Sequence, residues 1–218
     1  MNKEIYTADW QDKRYPENLL ALPDNERPEL LYISGKIRKR DRKAVAIVGS
    51  RKMTDYGKRM AAKFARELAK NKVTIISGLA RGIDTIAHKA ALSAGGRTIA
   101  VLGCGLDIIY PPENKALAER VRKNGALVSE FPLGTKPLGR NFLTRNRIIS
   151  GLSLAVLVVE GARRSGTLST ASWAANQGRE VFAIPGPIDS PLSAAPLFLI
   201  ENGAQIAQNP KDILDVII

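Results

Sequence analysis

Six short apolar runs recur along this chain, most of them closing on a small or acidic residue: AVAIVG (44–49), VTIISG (73–78), RTIAVLG (97–103), ALVSE (126–130), LAVLVVE (154–160) and REVFAIPG (179–186). Apolar runs this short read as strands buried on both faces. The stretches between them have helical character: Tyr56–Lys70, Gly82–Ala94, Glu113–Lys123, residues around 141–150, and Leu168–Gln177. The tail adds a helix near 193–200, a short strand at AQIA (204–207) and a last helix from Pro210. Strands alternating with helices predict βαβ units. With right-handed crossovers this gives an α/β, Rossmann-like fold, a mostly parallel sheet with helices on both faces. The 218 residues suit one such domain. Residues 44–218 are read as that domain, and residues 1–43, with one short helix and one strand, as a lead-in segment packed on the core.

Other classes are excluded by what the chain lacks. The single cysteine, Cys104, and the single histidine, His88, argue against a disulfide framework or a zinc site. The opening MNKEIYTADWQDK holds no apolar stretch of signal-peptide length. No run approaches the roughly 18 to 20 apolar residues that span a bilayer. The expectation is a soluble cytoplasmic protein with no membrane association. The net charge is +12, and residues 36–72 carry fourteen Lys and Arg against three acids, nearly the whole excess. Such a balance favours nucleic acid or anionic ligands, with a merely solvated basic surface as the alternative. Part of it is a helix face, where Arg59, Lys63, Arg66 and Lys70 oppose Met60, Phe64 and Leu68.

In open α/β sheets ligands bind beyond the carboxyl ends of the strands, near a topological switch point. The loops there are small, polar or basic: Gly49-Ser50-Arg51, Ser77-Gly78 through Arg81-Gly82, Gly103-Cys104-Gly105, and Ser165-Gly166-Thr167. Glycine allows close approach of backbone, helix N-termini favour anions, and arginines can grip phosphate in a bidentate fashion. Taken singly each loop could be a turn; in register they converge on one rim. A second cluster, Lys136, Arg140, Phe142, Arg145, Asn146 and Arg147, sets cations around one aromatic. Single strands are held by cations on phosphates and by aromatics on which bases stack. Phe142 could also be core, and Arg145 could pair with Glu130 or Glu160. A G-x-G-x-x-G fingerprint, a P-loop and a G-x-S-x-G elbow are all missing. His88 and Cys104 read as packing residues. Asp84, Asp107, Glu130 and Glu160 read as carboxylates that cap helices or fix arginines. No cofactor is called for.

The motifs AIVGSRKMTDYGKRMA, IISGLARGIDTIAHKAAL, TIAVLGCGLDIIYPPEN, SEFPLGT, FLTRNRIISGLS and VVEGARRSGTLSTASWAANQGREVFAIPG resemble, in order, those of the DNA-processing protein A family (DprA or Smf). The likeness runs from about Tyr15 to the C-terminus. It implies an extended Rossmann fold, single-stranded DNA binding, loading of the RecA recombinase, a role in natural transformation, a homodimer, and no enzymatic activity. By this resemblance the family's phosphate-binding arginine falls on Arg51, beside Gly49 and Ser50, and its stacking aromatic on Phe142. The chain departs from the pattern at Gly139, where many members have lysine, at Leu143, where proline is usual, and at Ser193-Ala194-Ala195-Pro196-Leu197, an altered S-x-G-x-N. Many members carry an N-terminal helical module and a C-terminal winged helix; neither is found here, so the 218 residues read as a minimal form or as part of a longer chain. The rival reading is a nucleoside-monophosphate phosphoribohydrolase. Those enzymes carry P-G-G-x-G-T-x-x-E with a catalytic glutamate, whereas the matching loop here, Ser165-Gly166-Thr167-Leu168-Ser169-Thr170, has none. A dimer surface is expected in the apolar tail, at Leu192, Leu197, Phe198, Leu199, Ile200, Ile213, Leu214, Val216 and Ile217.

Overall fold

The computed structural model describes residues 4–217. Residues 1–3 of the expected lead-in and residue 218 of the expected domain lie outside them. Nine strands form one sheet: β1 (Ile5–Asp9), β2 (Leu30–Gly35), β3 (Ala44–Val48), β4 (Thr74–Ser77), β5 (Thr98–Val101), β6 (Ala126–Ser129), β7 (Ala155–Val158), β8 (Glu180–Ala183) and β9 (Gln205–Ile206), in the order β1-β2-β6-β5-β4-β3-β7-β8-β9. From β6 to β9 every neighbour is parallel. The six apolar runs are β3 to β8, and the four-residue strands β4, β5, β6 and β7 are buried throughout.

Residues 1–43 contain one strand more than the sequence predicts. Both β1 and β2 join the sheet, antiparallel to each other, with β2 antiparallel to β6. The unforeseen β1 is a half-exposed edge strand with a single buried side chain, Ala8, so it lacks the apolar run that marks the others.

Helices α1 (Glu17–Leu20), α2 (Asp55–Lys70), α3 (Ile83–Ser93), α4 (Lys115–Asn124), α5 (Gly139–Gly151), α6 (Gly166–Asn176), α7 (Ala194–Glu201) and α8 (Pro210–Ile217) surround the sheet. On one face α2 and α3 cover the sheet: Phe64, Leu68, Ile83 and Ala87 pack with Val45, Ile47 and Leu157. On the other face α5 and α6 bury Ile148, Ile149 and Ala171 against Ala46, Val156 and Val128. The basic face of α2, Arg59, Lys63, Arg66 and Lys70, is exposed.

The chain leaves β3 towards β4 on one side and returns to β3's other side as β7. The loops after β3 and β7 therefore part in opposite directions, and a crevice opens between them. Glu160, at the end of β7, ties the two together. Its carboxylate accepts from the Thr54 amide at 3.0 Å and from the Thr54 hydroxyl, and its carbonyl accepts from the Ser50 amide at 2.8 Å. Thr54 in turn caps α2, accepting from the Gly57 amide at 3.1 Å.

Candidate nucleic-acid interface

A cleft of about 690 Å³ lies at this switch point. Gly49, Ser50 and Arg51 form one wall and Ser165, Gly166 and Thr167 another, at the N-terminus of α6. The third wall is one face of α5: Phe142, Arg145, Asn146 and Ile149, spaced three and four residues apart as a helix face requires. Tyr110, on the loop after β5, meets the Phe142 ring with centroids 5.6 Å apart. The guanidinium carbons of Arg51 and Arg145 lie 5.4 and 5.8 Å from the Phe142 centroid. Phe142 is only half-buried, so part of its ring faces the cleft.

The cations divide by burial. Arg51, Lys136 and Arg140 are exposed and form no carboxylate pair among the described residues. Arg81 is half-exposed and makes a forked pair with Glu113. Arg145 is only 4% exposed. It donates to the carbonyls of Gly78, at 2.9 Å, and of Val101, and so fastens α5 to the ends of β4 and β5. Burial lowers its pKa to about 10, opposed by the charge of Asp84. Asp84 binds the other side of the same residue: its carboxylate accepts from the Gly78 amide at 3.0 Å, and burial raises its pKa. A Cβ on Gly78 would sit 2.3 Å from an Arg145 nitrogen, which is why glycine stands there. Gly82, with φ +75°, packs under the Ser50 carbonyl, where a Cβ would approach to 2.1 Å.

Two expected placements are corrected. Arg145 pairs with neither Glu130 nor Glu160. Glu160 serves Thr54, and Glu130 is taken by Arg147, whose two terminal nitrogens reach it at 2.7 and 2.6 Å. Arg147 thus lies outside the cleft, because residues two apart on a helix point in different directions. Asn146 is buried and donates to the Gly166 carbonyl at 3.2 Å, bracing α5 against the start of α6. The cleft also has a member the sequence reading passed over, Tyr110, and the exposed pair Arg163 and Arg164 stands in the chain between two of its lining residues, Ala162 and Ser165. The Arg pair was legible as two cations next to a small-residue loop. Tyr110 sits in an aperiodic turn and carried no signal.

His88, Cys104 and Asp107 are each held by a neighbour within the protein. His88 is fully buried, its Nδ1 2.7 Å from the Thr98 hydroxyl, and burial lowers its pKa to about 3. Cys104 is buried beside the Ile108 carbonyl, and burial raises its pKa to about 11, so it is a poor nucleophile. Asp107 accepts from the Gly134 amide at 3.0 Å. Among the described residues, no cluster of three metal-ligating side chains occurs and no helix is long and apolar enough to cross a membrane.

Fold and cleft together define a Rossmann-like α/β protein whose switch point holds a basic, aromatic-walled crevice. Residues 7–217 match the family described as DNA recombination-mediator protein A, and the chain belongs to that family. It is 52% identical over 215 residues to Protein Smf of Escherichia coli, an alignment that covers 98% of this chain and 56% of that one. The chain spans about half the length of this relative and of the Synechocystis Protein Smf. The X-ray structure of DNA processing protein A from Streptococcus pneumoniae superposes with a TM-score of 0.91 at 41% identity, covering 98% of this chain and 74% of that one. DNA processing protein A from Helicobacter pylori, described for its single-stranded DNA binding mode, superposes with a TM-score of 0.87 at 32% identity, covering 99% and 96%.

Proposed function

We propose that the chain binds single-stranded DNA in the switch-point cleft, acting in DNA processing during natural transformation. The observation that carries this reading is Phe142, a half-exposed aromatic on the cleft wall, with Arg51 beside it, exposed and without a carboxylate partner among the described residues. Phosphates would run past Arg51, Lys136 and Arg140 and the N-terminus of α6, while a base stacks on Phe142. Arg81 adds charge if Glu113 releases it. Gly49 and Ser50 line the cleft, while Gly78 and Gly82 act from beneath it, making room for the Arg145 guanidinium and the Ser50 carbonyl. Arg145, Asn146 and Arg147 act as positioning residues, holding α5 in place. We assign the DNA-binding unit to residues 44–218 and treat residues 1–43 as its lead-in.

Support for binding without hydrolysis comes from the acids. Asp84, which lines the cleft, and Glu160, at the end of β7, already accept from backbone amides and, for Glu160, from the Thr54 hydroxyl. Family membership extends the proposal to RecA loading in the cytoplasm. A homodimer through α7 is supported by the outward placement of its apolar side chains: Leu197 and Ile200 are half-buried, and Phe198 is 38% exposed.

The test is a gel shift with single- and double-stranded oligonucleotides at two salt concentrations, on the parent, Arg51→Glu and Arg66→Glu. Single strands should bind tighter than duplex, with log affinity falling by about 0.7 per phosphate contacted for each unit of log salt. Arg51→Glu should weaken binding far more than Arg66→Glu on the outer face of α2. Equal effects, or duplex bound as tightly as single strand, would refute the assignment.

A further inference from the structure

The cleft leaves the densest charge in the sequence unexplained. Lys36, Arg38, Lys39, Arg40, Arg42 and Lys43 precede β3, so they lie at the amino ends of the parallel strands, the rim opposite the cleft. Hydrogen bonds fix the segment there. The Lys36 amide donates to the Gly125 carbonyl at the start of β6, and the Lys43 carbonyl accepts from the Thr74 amide at the start of β4, at 2.8 and 2.9 Å. The two rims are separated by β3, which at about 3.3 Å per residue for five residues is roughly 16 Å.

All six side chains are exposed, and none pairs with a carboxylate among the described residues. The segment's single acid does not neutralise them. Asp41 is buried and bound to Arg97 by two contacts of 2.7 Å, to the Arg38 amide at 2.8 Å and to the Thr74 hydroxyl at 2.8 Å. Arg97 also donates to the Lys36 carbonyl at 2.6 Å. A buried ion pair thus holds six like charges on a short, rigid segment, an arrangement that opposes folding unless counter-charge arrives. Beneath this rim a cavity of about 240 Å³ is floored by Ile37, Ile76, Ile99 and Leu152 and edged by Arg38, Lys39 and Arg42. Glu17 is the one exposed acid lining it. Exposed cations along the edge of this cavity suit the phosphates of a strand laid across the rim.

We infer that the segment 36–43 and the cavity beneath it form a second nucleic-acid site, holding the phosphodiester backbone of a further stretch of strand at the opposite end of the sheet from the switch-point cleft. The site is independent of the cleft reading. The roughly 16 Å between them exceeds the Debye length of about 8 Å at physiological salt, so the two are electrostatically separate.

The experiment uses fluorescence anisotropy with a labelled 30-nucleotide single strand and the Arg51→Glu/Phe142→Ala protein, in which the cleft is disabled. Residual binding is expected. If three or more phosphates are engaged, affinity should drop at least about 20-fold between 50 and 200 mM salt. Adding Lys39→Glu, Arg40→Glu and Arg42→Glu should abolish it. No residual binding, or residual binding that survives the three added substitutions, overturns the proposal. The same triple variant with the cleft intact guards against a misfolded background. It should lose affinity for the 30-mer by at least about tenfold and bind a six-nucleotide strand as the parent does. An equal loss for both lengths would mean a general charge effect and refute a separate site. A duplex of matched length that binds the cleft-disabled protein supports phosphodiester recognition and identifies double-stranded backbone as a source. Polyglutamate that displaces the 30-mer at equal charge concentration would make the surface a dock for acidic protein and overturn the assignment. If instead Arg51→Glu/Phe142→Ala binds a six-nucleotide strand as tightly as the parent, the cleft reading fails, and the patch is still judged by its own triple variant.

Discussion

Arg145 is the strongest test of how the cleft is held open. Replacing it with methionine keeps most of the side chain's volume and removes its charge and donors. The Gly78 and Val101 carbonyls lose their donor, and Asp84 loses the nearest cation in a site that is fully buried. Bonds from a charged donor are worth about 1.5–3 kcal/mol each, and breaking a buried charge arrangement from one side costs about 3–5 kcal/mol. We take about 3–5 kcal/mol as the total, because Asp84 and Arg145 meet through the amide and the carbonyl of one residue, Gly78. For a chain of this size each kcal/mol moves the melting temperature by about 2–4 °C, so Arg145→Met should melt about 6–20 °C below the parent in a calorimetric scan. The double variant Arg145→Met/Asp84→Asn should recover part of that loss, since no unpaired buried charge remains. An Arg145→Met protein that melts with the parent yet fails to bind single strands would refute the reasoning: Arg145 would then be a contact residue and not a brace.

Phe142→Ala should cost about 1–3 kcal/mol in single-strand affinity, roughly five- to 150-fold by anisotropy at low temperature. Early melting with normal binding would make Phe142 a wall residue only. Asp41 has its pKa set by competition: burial raises it, but bonds from Arg97, the Arg38 amide and the Thr74 hydroxyl prevail and lower it. A lowered folded-state pKa means that its stabilisation is present above the unfolded value and disappears as pH falls through the folded one. Melting temperature should therefore fall below about pH 4, and Asp41→Asn should lower it at pH 7 while flattening that acid dependence. Sedimentation at micromolar concentration should show twice 23.7 kDa, and Phe198→Glu should return the monomer; a monomeric parent removes the α7 interface.

The parallel sheet was legible because its central strands, β3 to β7, are buried on both faces and so cannot hide their apolar runs. Edge strand β1 was not, because a half-exposed antiparallel strand of mixed polarity takes its identity from its partner β2. The cleft loops were legible from their small residues at strand ends. What each cation does there was harder to read. Arg145 and Arg147 stand in one motif, but helix geometry sends one under Gly78 and the other to Glu130. The spacing alone separates their directions, although not which of them is buried. The partners Glu113, Thr54 and Val101 come from distant parts of the chain, and no local pattern announces them.

The central position of β3 also sets the order in which the molecule can be made. Its five residues are all buried, and Val45 pairs with Ile75 on one side and with Ala155 on the other. During synthesis the second partner emerges roughly 110 residues after the first strand, about 5–20 s at ribosomal rates of about 5–20 residues per second. For that interval a wholly apolar strand, buried along its full length in the folded protein, has an open edge, the kind of template on which nascent chains associate wrongly. The cleft closes in the same step, since its walls come from both sides of β3. The nascent chain therefore acquires its switch-point crevice and covers the open edge of β3 together.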